Sequence, residues 1–553
     1  MITLSEYLIR SLHEQGVRHV FGLPGDFVIG LYDLFERDGR LKPIVMAHEP
    51  GAGFAADAYA RCKGLGVALV TYCVGGLNCV NAVAEAYAEK SPVLVLSGGP
   101  GVGERKPNAL LHHRVKTFET QRNVFEEVTC RATVLDSPVT APRQIAETLA
   151  TIKRLNRPGY LEIPRDLYLA PVSAQAVQLP PIPLDSEALG ELVAESIEMC
   201  NGADRPVLMV GIEVHRLRLA EKVRQLAAKL GARVVTTLEA KGVLPEDETL
   251  GVYAGALSSG AHVRRIVEDS DCVLMLGAFM TEFNLGVYTA HLDPRRTISV
   301  SNEEARIGHH VFPGVALDPY VDALLASRRL LTHPIGTEAE QVDHRPAPAR
   351  DDVIRVNALY RLLDERIDRN HLVVCDVGDC LFAAIGLHIP QETGLLAPAN
   401  YTSMGFGVPG AIGAELALPE KRPVVLVGDG AFRMTGNELA TAVRYGLSPI
   451  VIILNNSSFV TLQNVASGPF NDLIAADYRL MLDMYLPGRS FRCHSIGEFL
   501  DAFEAAAARR DPALIDVVID PKDCSDILNT FSDELARRAQ SPAQPTASGV
   551  TGP

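Results

Sequence analysis

The sequence predicts an α/β protein built from three doubly wound parallel-sheet domains. Short apolar runs rich in β-branched residues, such as Val424–Val427 and Ile450–Leu454, are too short for helices and read as buried parallel strands. Helix-periodic stretches separate such runs, joined by short connections. Two polar, proline-containing stretches, Gln178–Ser186 and Thr332–Asp352, divide the 553 residues into three. The expected domains are 1–177, 187–331 and 353–538, followed by a disordered tail, 539–553, of small residues and proline.

Thr3 and Glu6 have the spacing of a capping box ahead of an amphipathic first helix. HVFGLPGDF then reads as a strand and a turn that exposes Asp26. PIVMAHEPG reads as a strand ending at Glu49, with Pro50 suited to open the next helix. GVALVTY, LNCVNAVAEAYAE and PVLVLSG repeat the unit, and the loop after them delivers the adjacent pair His112 and His113. The second domain is α/β again and carries the loop Thr281–Gly286. It has no glycine fingerprint for a nucleotide, so it reads as structural.

In the third domain, Pro423–Ser458 is a strand–helix–strand unit, with Thr435 and Glu438 as a predicted capping box and Gly446 as the helix stop. Asp429 follows the first strand of this unit, and Asn455 and Asn456 follow the second. Both strand ends open into one crevice, where open α/β sheets bind ligands. A carboxylate and a carboxamide there offer hard oxygens to a magnesium ion carried by a phosphate, and Gly428 and Gly430 let the backbone come close. Taken alone, an Asp and an Asn in these places are also ordinary turn residues.

Hydrophobic content of 47% with 22% charged residues is that of a globular protein, and the net charge of −15 without a basic tract argues against a nucleic-acid partner. Ten cysteines without CxxC spacing read as buried thiols of a reducing compartment. With no leader pattern and no long apolar run, a cytoplasmic protein without membrane contact is expected.

Four motifs together carry a resemblance. They are GDF at Gly25–Phe27, HEPGAGFAADAYAR at His48–Arg61, the His112–His113 pair, and GDG followed by NN. The chain resembles the thiamine-diphosphate-dependent 2-oxo acid decarboxylases of the pyruvate/indolepyruvate/phenylpyruvate group, and in pattern most of all phenylpyruvate decarboxylase. The resemblance implies thiamine diphosphate and Mg2+ as cofactors. Asp429, Asn456 and the carbonyl of Ser458 would hold the metal, beside Gly428, Gly430 and Ala431 on the diphosphate. Met404 would wedge the cofactor into its bent form, and the Thr402 backbone would contact its aminopyrimidine. Glu49 would stand against the far pyrimidine nitrogen, where a partly desolvated carboxylate can share a proton near neutral pH. Asp26, His112 and His113 match the acid/base set facing the substrate. The resemblance also implies a homodimer with shared active sites, and a homotetramer overall.

The chain departs from the pyruvate decarboxylase pattern at Leu462, where that pattern has a glutamate. Leucine cannot donate a proton. Glu282, on the loop TEFNLG, stands where phenylpyruvate decarboxylase has its acid, and is expected to supply the missing function. The matching pocket positions are Leu381, Thr461 and Leu462, with Phe283 or Asn284 from the loop. Less aromatic bulk there suggests a larger apolar 2-oxo acid, such as phenylpyruvate or indole-3-pyruvate. The expected reaction is non-oxidative decarboxylation to the aldehyde and CO2. The alternative is a carboligase that forms 2-hydroxyketones.

Overall fold

Burial on both faces of the sheet, written into the apolar runs, produces three six-stranded sheets, one per domain. The computed structural model describes residues 1–106, 109–181, 183–334 and 348–540. The first sheet holds β1 (His19–Gly22), β2 (Lys42–Val45), β3 (Gly66–Val70), β4 (Val93–Gly99), β5 (Ala132–Val134) and β6 (Gly159–Pro164). Their order is β2-β1-β3-β4-β6-β5, and every pair is parallel.

The second sheet comprises β7 (Pro206–Val210), β8 (Arg233–Thr236), β9 (Cys272–Leu276), β10 (Thr297–Val300), β11 (Ala305–Ile307) and β12 (His310–Phe312). Its order is β8-β7-β9-β10-β11-β12. It corrects the all-parallel expectation, because β11 and β12 add as antiparallel hairpins. Only a few residues separate these last strands, too few for the crossover that a parallel pair requires.

The third sheet holds β13 (His371–Cys375), β14 (Leu395–Leu396), β15 (Arg422–Gly428), β16 (Ile450–Asn455), β17 (Ser490–Cys493) and β18 (Ala513–Val518). Its order, β14-β13-β15-β16-β18-β17, repeats the first sheet strand for strand, again all parallel.

Eight helices matter for the site: α1 (Leu4–Glu14), α2 (Glu49–Lys63), α3 (Gly76–Ala88), α4 (Asp379–Ala384), α5 (Gly407–Ala417), α6 (Asp429–Thr435), α7 (Leu439–Arg444) and α8 (Asp526–Gln540). The capping box expected at α1 is present, with the Glu6 amide donating to Thr3 Oγ1 at 3.2 Å and the Thr3 amide to Glu6 Oε2 at 2.7 Å. The other predicted box is not. Thr435 instead donates its hydroxyl to the Gly405 carbonyl at 2.7 Å, and Glu438 is drawn across to the first domain.

Helices α2 and α5 join the first and third domains. A Cβ at Gly413 would meet the Ala55 carbonyl oxygen at 2.0 Å, so the helices approach as closely as a missing side chain permits. Within α2 the Arg61 guanidinium is buried against Asp57 at 2.6 Å and donates to the Ala397 carbonyl across the junction at 2.7 Å.

Helix α8 runs on through residues 539 and 540, which were expected to belong to the tail. The rest of that stretch, 541–553, and the linker core 335–347 lie outside the described residues. Among the described residues no helix is long and apolar enough to cross a membrane.

Candidate active site

Strands β15 and β16 are parallel neighbours, with Gly428 opposite Leu454, so the residues that follow both strands emerge side by side. Asp429 opens α6 and is 1% exposed, and its Oδ2 accepts the Ser457 amide at 3.0 Å. Burial pushes its carboxyl up to about 6, against the pull of Arg433. The two asparagines divide their work. Asn455 turns inward, donating to Asp516 Oδ1 at 2.7 Å and the Ala476 carbonyl at 3.0 Å, and braces the sheet. Asn456 stays in the crevice, its Oδ1 accepting the Ser458 amide at 3.0 Å. Ser457 between them has φ +53°, which an L-residue adopts only at a cost.

Asp429, Asn456 and Ser458 line a cavity of about 310 Å³. Its polar floor is Gly428, Asp429, Gly430, Ala431, Asn456 and Ser458. Thr402, Met404, Phe283, Leu381, Thr461 and Leu462 line it as well. Twelve residues singled out in the sequence, from five separate stretches, therefore meet in one cavity. The floor fits a magnesium diphosphate. Among the described residues its buried carboxylate makes no lysine or arginine ion pair, which leaves hard oxygen donors free, and a Cβ at Gly428 would touch nothing within 4 Å, leaving open space for a phosphate.

The turn carrying Thr402 and Met404 is held from below by Asp376, a fully buried residue the sequence did not mark. It accepts the amides of Gly405 at 3.0 Å and Gly407 at 2.7 Å, and burial pushes its carboxyl up to about 6. Thr402 itself has φ +60°, unusual for a β-branched residue and a mark of a constrained functional turn.

The cavity lining corrects the expectation of low aromatic bulk. Phe382 on α4 and Phe531 on α8 also line it, with ring centroids 4.8 Å apart, and Phe283 stacks on Phe531 at 5.8 Å. Phe531 lies some 70 residues beyond the NN motif, on a helix whose surface pattern carries no sign of the cavity.

On the loop Thr281–Gly286 only Phe283 reaches the cavity. Asn284 was the alternative, but it is buried away from the cavity, accepting the Leu238 amide at 2.9 Å and donating to Glu239 and to the Phe279 carbonyl. Thr281 donates to Glu239 as well, at 3.0 Å. With the loop pinned on this side, Glu282 is exposed and does not line the cavity wall.

Burial raises the Glu239 carboxyl to about 7, opposed first by its Asn284 hydrogen bond. A carboxyl raised on folding contributes stability below its ordinary range and loses it as pH rises through about 7. Relative to Glu239→Gln, the wild type should therefore lose about 1.4 kcal/mol per pH unit between pH 5 and 7, read by denaturant titration at several pH values.

A second group gathers at the first sheet. His112 Nε2 makes a short hydrogen bond to Asp26 Oδ2, and His113 Nδ1 lies 3.7 Å from Asp26 Oδ1. Burial raises the Asp26 carboxyl, but the His112 hydrogen bond and the two imidazoles outweigh it and hold the group below the usual range. The His112 ring stacks on Phe27 at 4.9 Å, and His113 sits at φ +65°. Glu49 begins α2 rather than ending β2, which stops at Val45. It is half-buried, and Asn78 Nδ2 donates to its Oε2 at 2.8 Å. None of Asp26, Glu49, His112 or His113 lines the 310 Å³ cavity of the same chain.

Three domain families match the chain: the thiamine pyrophosphate enzyme N-terminal TPP binding domain over residues 2–127, the central domain over 193–327, and the C-terminal TPP binding domain over 376–517. Indole-3-pyruvate decarboxylase of Azospirillum brasilense is 40% identical over 97% of this chain and 98% of its own. Alpha-keto-acid decarboxylases of Mycobacterium tuberculosis and Mycobacterium avium are 31% and 30% identical, each over 94% of both chains.

Proposed function

The chain belongs to the thiamine-diphosphate-dependent 2-oxo acid decarboxylases, and from that premise we propose that its substrate is a 2-oxo acid with an aryl side chain, phenylpyruvate or indole-3-pyruvate, released as the aldehyde and CO2. The observation that carries this reading is the cavity itself, which Asp429 and Asn456 line together with Leu381, Leu462, Phe283, Phe382 and Phe531. An aryl group stacked among these rings buries enough apolar surface to add about 2 kcal/mol over a methyl group.

The cofactor, when bound, supplies the nucleophilic carbon and the electron sink for loss of CO2. Asp429, Asn456 and the Ser458 carbonyl would hold Mg2+ beside the diphosphate, and Met404 and the Thr402 backbone would hold the ring system. Glu49 would share a proton with a pyrimidine nitrogen. Asp26, His112 and His113 move protons at the substrate, a task that suits a carboxylate coupled to two imidazoles. Since these four residues lie outside their own chain's cavity, they serve the cavity of a second subunit in a homodimer, two dimers pairing as a homotetramer. The enzyme works in the cytoplasm, in keeping with its ten free cysteines.

Leu462 offers no proton, and Glu282 takes over that function from a place beside the cavity-lining Phe283. Glu282→Gln should lower CO2 release by about tenfold or more, within the range of general acid catalysis. Turnover within about twofold of wild type would sink this role. The substrate reading is tested by CO2 release from phenylpyruvate, indole-3-pyruvate and pyruvate, with the aryl acids favoured about tenfold or more in kcat/KM. Pyruvate as the preferred substrate would overturn it. Adding benzaldehyde tests the carboligase reading, which a predominance of hydroxyketone would favour.

A further inference from the structure

The backbone that presents Glu49 is gripped by a residue of another domain. Glu438 lies on the crossover between β15 and β16, just before α7, and is 1% exposed. Its carboxylate accepts the Ala47 amide at 3.1 and 3.2 Å and the His48 amide at 3.2 Å, and Thr441 adds its hydroxyl at 2.8 Å. From the same crossover the Tyr445 hydroxyl accepts the Val45 amide at 2.8 Å. On the other side of Glu49 a Cβ at Gly51 would lie 2.2 Å from Glu438 Oε1, so the helix start is pressed against this carboxylate. Residues 45, 47, 48 and 51 thus meet one short segment of the third domain.

We propose that Glu438 is a positioning residue for Glu49, fixing the turn from which that carboxylate is presented. The proposal rests on the proposed role of Glu49. A buried carboxylate needs its oxygens filled, and here backbone amides of the first domain fill them, so the turn cannot shift without stranding a buried acceptor. Helix propensity alone would not hold it, because the His48 side chain makes no cap hydrogen bond to α2. The crossover that carries Glu438 also joins the strands ending at Gly428, just before Asp429, and at Asn455. One rigid segment therefore sets both the crevice that would hold the diphosphate and the carboxylate that would face a pyrimidine.

The test is a double-mutant cycle on the full-length enzyme with thiamine diphosphate and Mg2+. Glu438→Gln places an amide group among amide donors and removes one acceptor. It should lower kcat by about tenfold or more while KM and calorimetric cofactor affinity stay within about threefold. In a Glu49→Gln background the same change should cost less than about threefold, because the residue it positions is already disabled. In the apo protein, amide hydrogen exchange at Ala47 and His48 should quicken by about tenfold or more in Glu438→Gln.

An equal loss in both backgrounds, or unchanged kcat, overturns the proposal in favour of a purely structural contact. Should Glu438→Gln not fold, Gly51→Ala, which pushes on the same carboxylate from the first domain, decides by the same cycle. If Glu49→Gln itself leaves turnover intact, the reading of Glu49 fails, and this proposal with it.

Discussion

Asp429→Asn should fold at least as well as the wild type without cofactor, yet gain nothing from thiamine diphosphate and Mg2+. The physical reason is that Asp429 is buried in the cavity lining with its carboxyl raised to about 6. A carboxyl raised on folding contributes stability below its ordinary range and loses it as pH rises through about 6, so at pH 7 the apo protein bears a penalty of about 3 kcal/mol. Asparagine carries no charge to desolvate and still accepts the Ser457 amide.

In the wild type a bound Mg2+ would compensate the buried charge, and saturating cofactor at a hundred times its Kd should stabilise the protein by about 2.7 kcal/mol. Thermal unfolding with and without cofactor measures both halves of this prediction. CO2 release should fall by more than about 100-fold, beyond what loss of a partner of a metal ligand costs. An undiminished cofactor-induced rise in Tm would place the metal elsewhere.

Glu49→Gln should do the reverse, binding cofactor normally and losing turnover by about 10²- to 10⁴-fold, the range of a positioned proton-transfer group. Glutamine keeps the shape and the Asn78 contact but cannot share a proton. A loss below about tenfold would reject the role. The two variants together test the shared site. In a twofold dimer with Glu49 of one subunit serving Asp429 of the other, a hybrid of the two variants has one intact site and one doubly damaged site. Mixing the two inactive proteins through a dissociation step should then restore about a quarter of the sites, by random pairing. If each site were built from a single chain, every site in the hybrid would carry one lesion and nothing would return.

Several parts of the site were legible because their signal is local. The end of a β-branched run, a glycine-flanked aspartate and a paired asparagine after the next run place Asp429 and Asn456 in one crevice by topology alone. Local signals failed where the partner is remote. The spacing of Thr435 and Glu438 fits a capping box, but Glu438 has better donors in the first domain, 390 and 391 residues away in sequence. Matching positions near the motifs suggested an aliphatic pocket, whereas its aromatic wall comes from α4 and α8. The buried Asn284 shows the same limit, since which residue of a loop faces a cavity depends on what pins the loop.

The sequence by itself determined three α/β domains, the strand ends that form the crevice, and the residue types that suit a magnesium diphosphate. These follow from periodicity and from chemistry confined to a few neighbouring residues. Tertiary structure alone decided that Asn455 turns inward to Asp516, that Phe382, Phe459 and Phe531 join Phe283 in lining the cavity, and that Glu438 reaches across domains to the turn before Glu49. Those outcomes depend on which distant groups compete for each buried donor and acceptor. No window of sequence contains that competition.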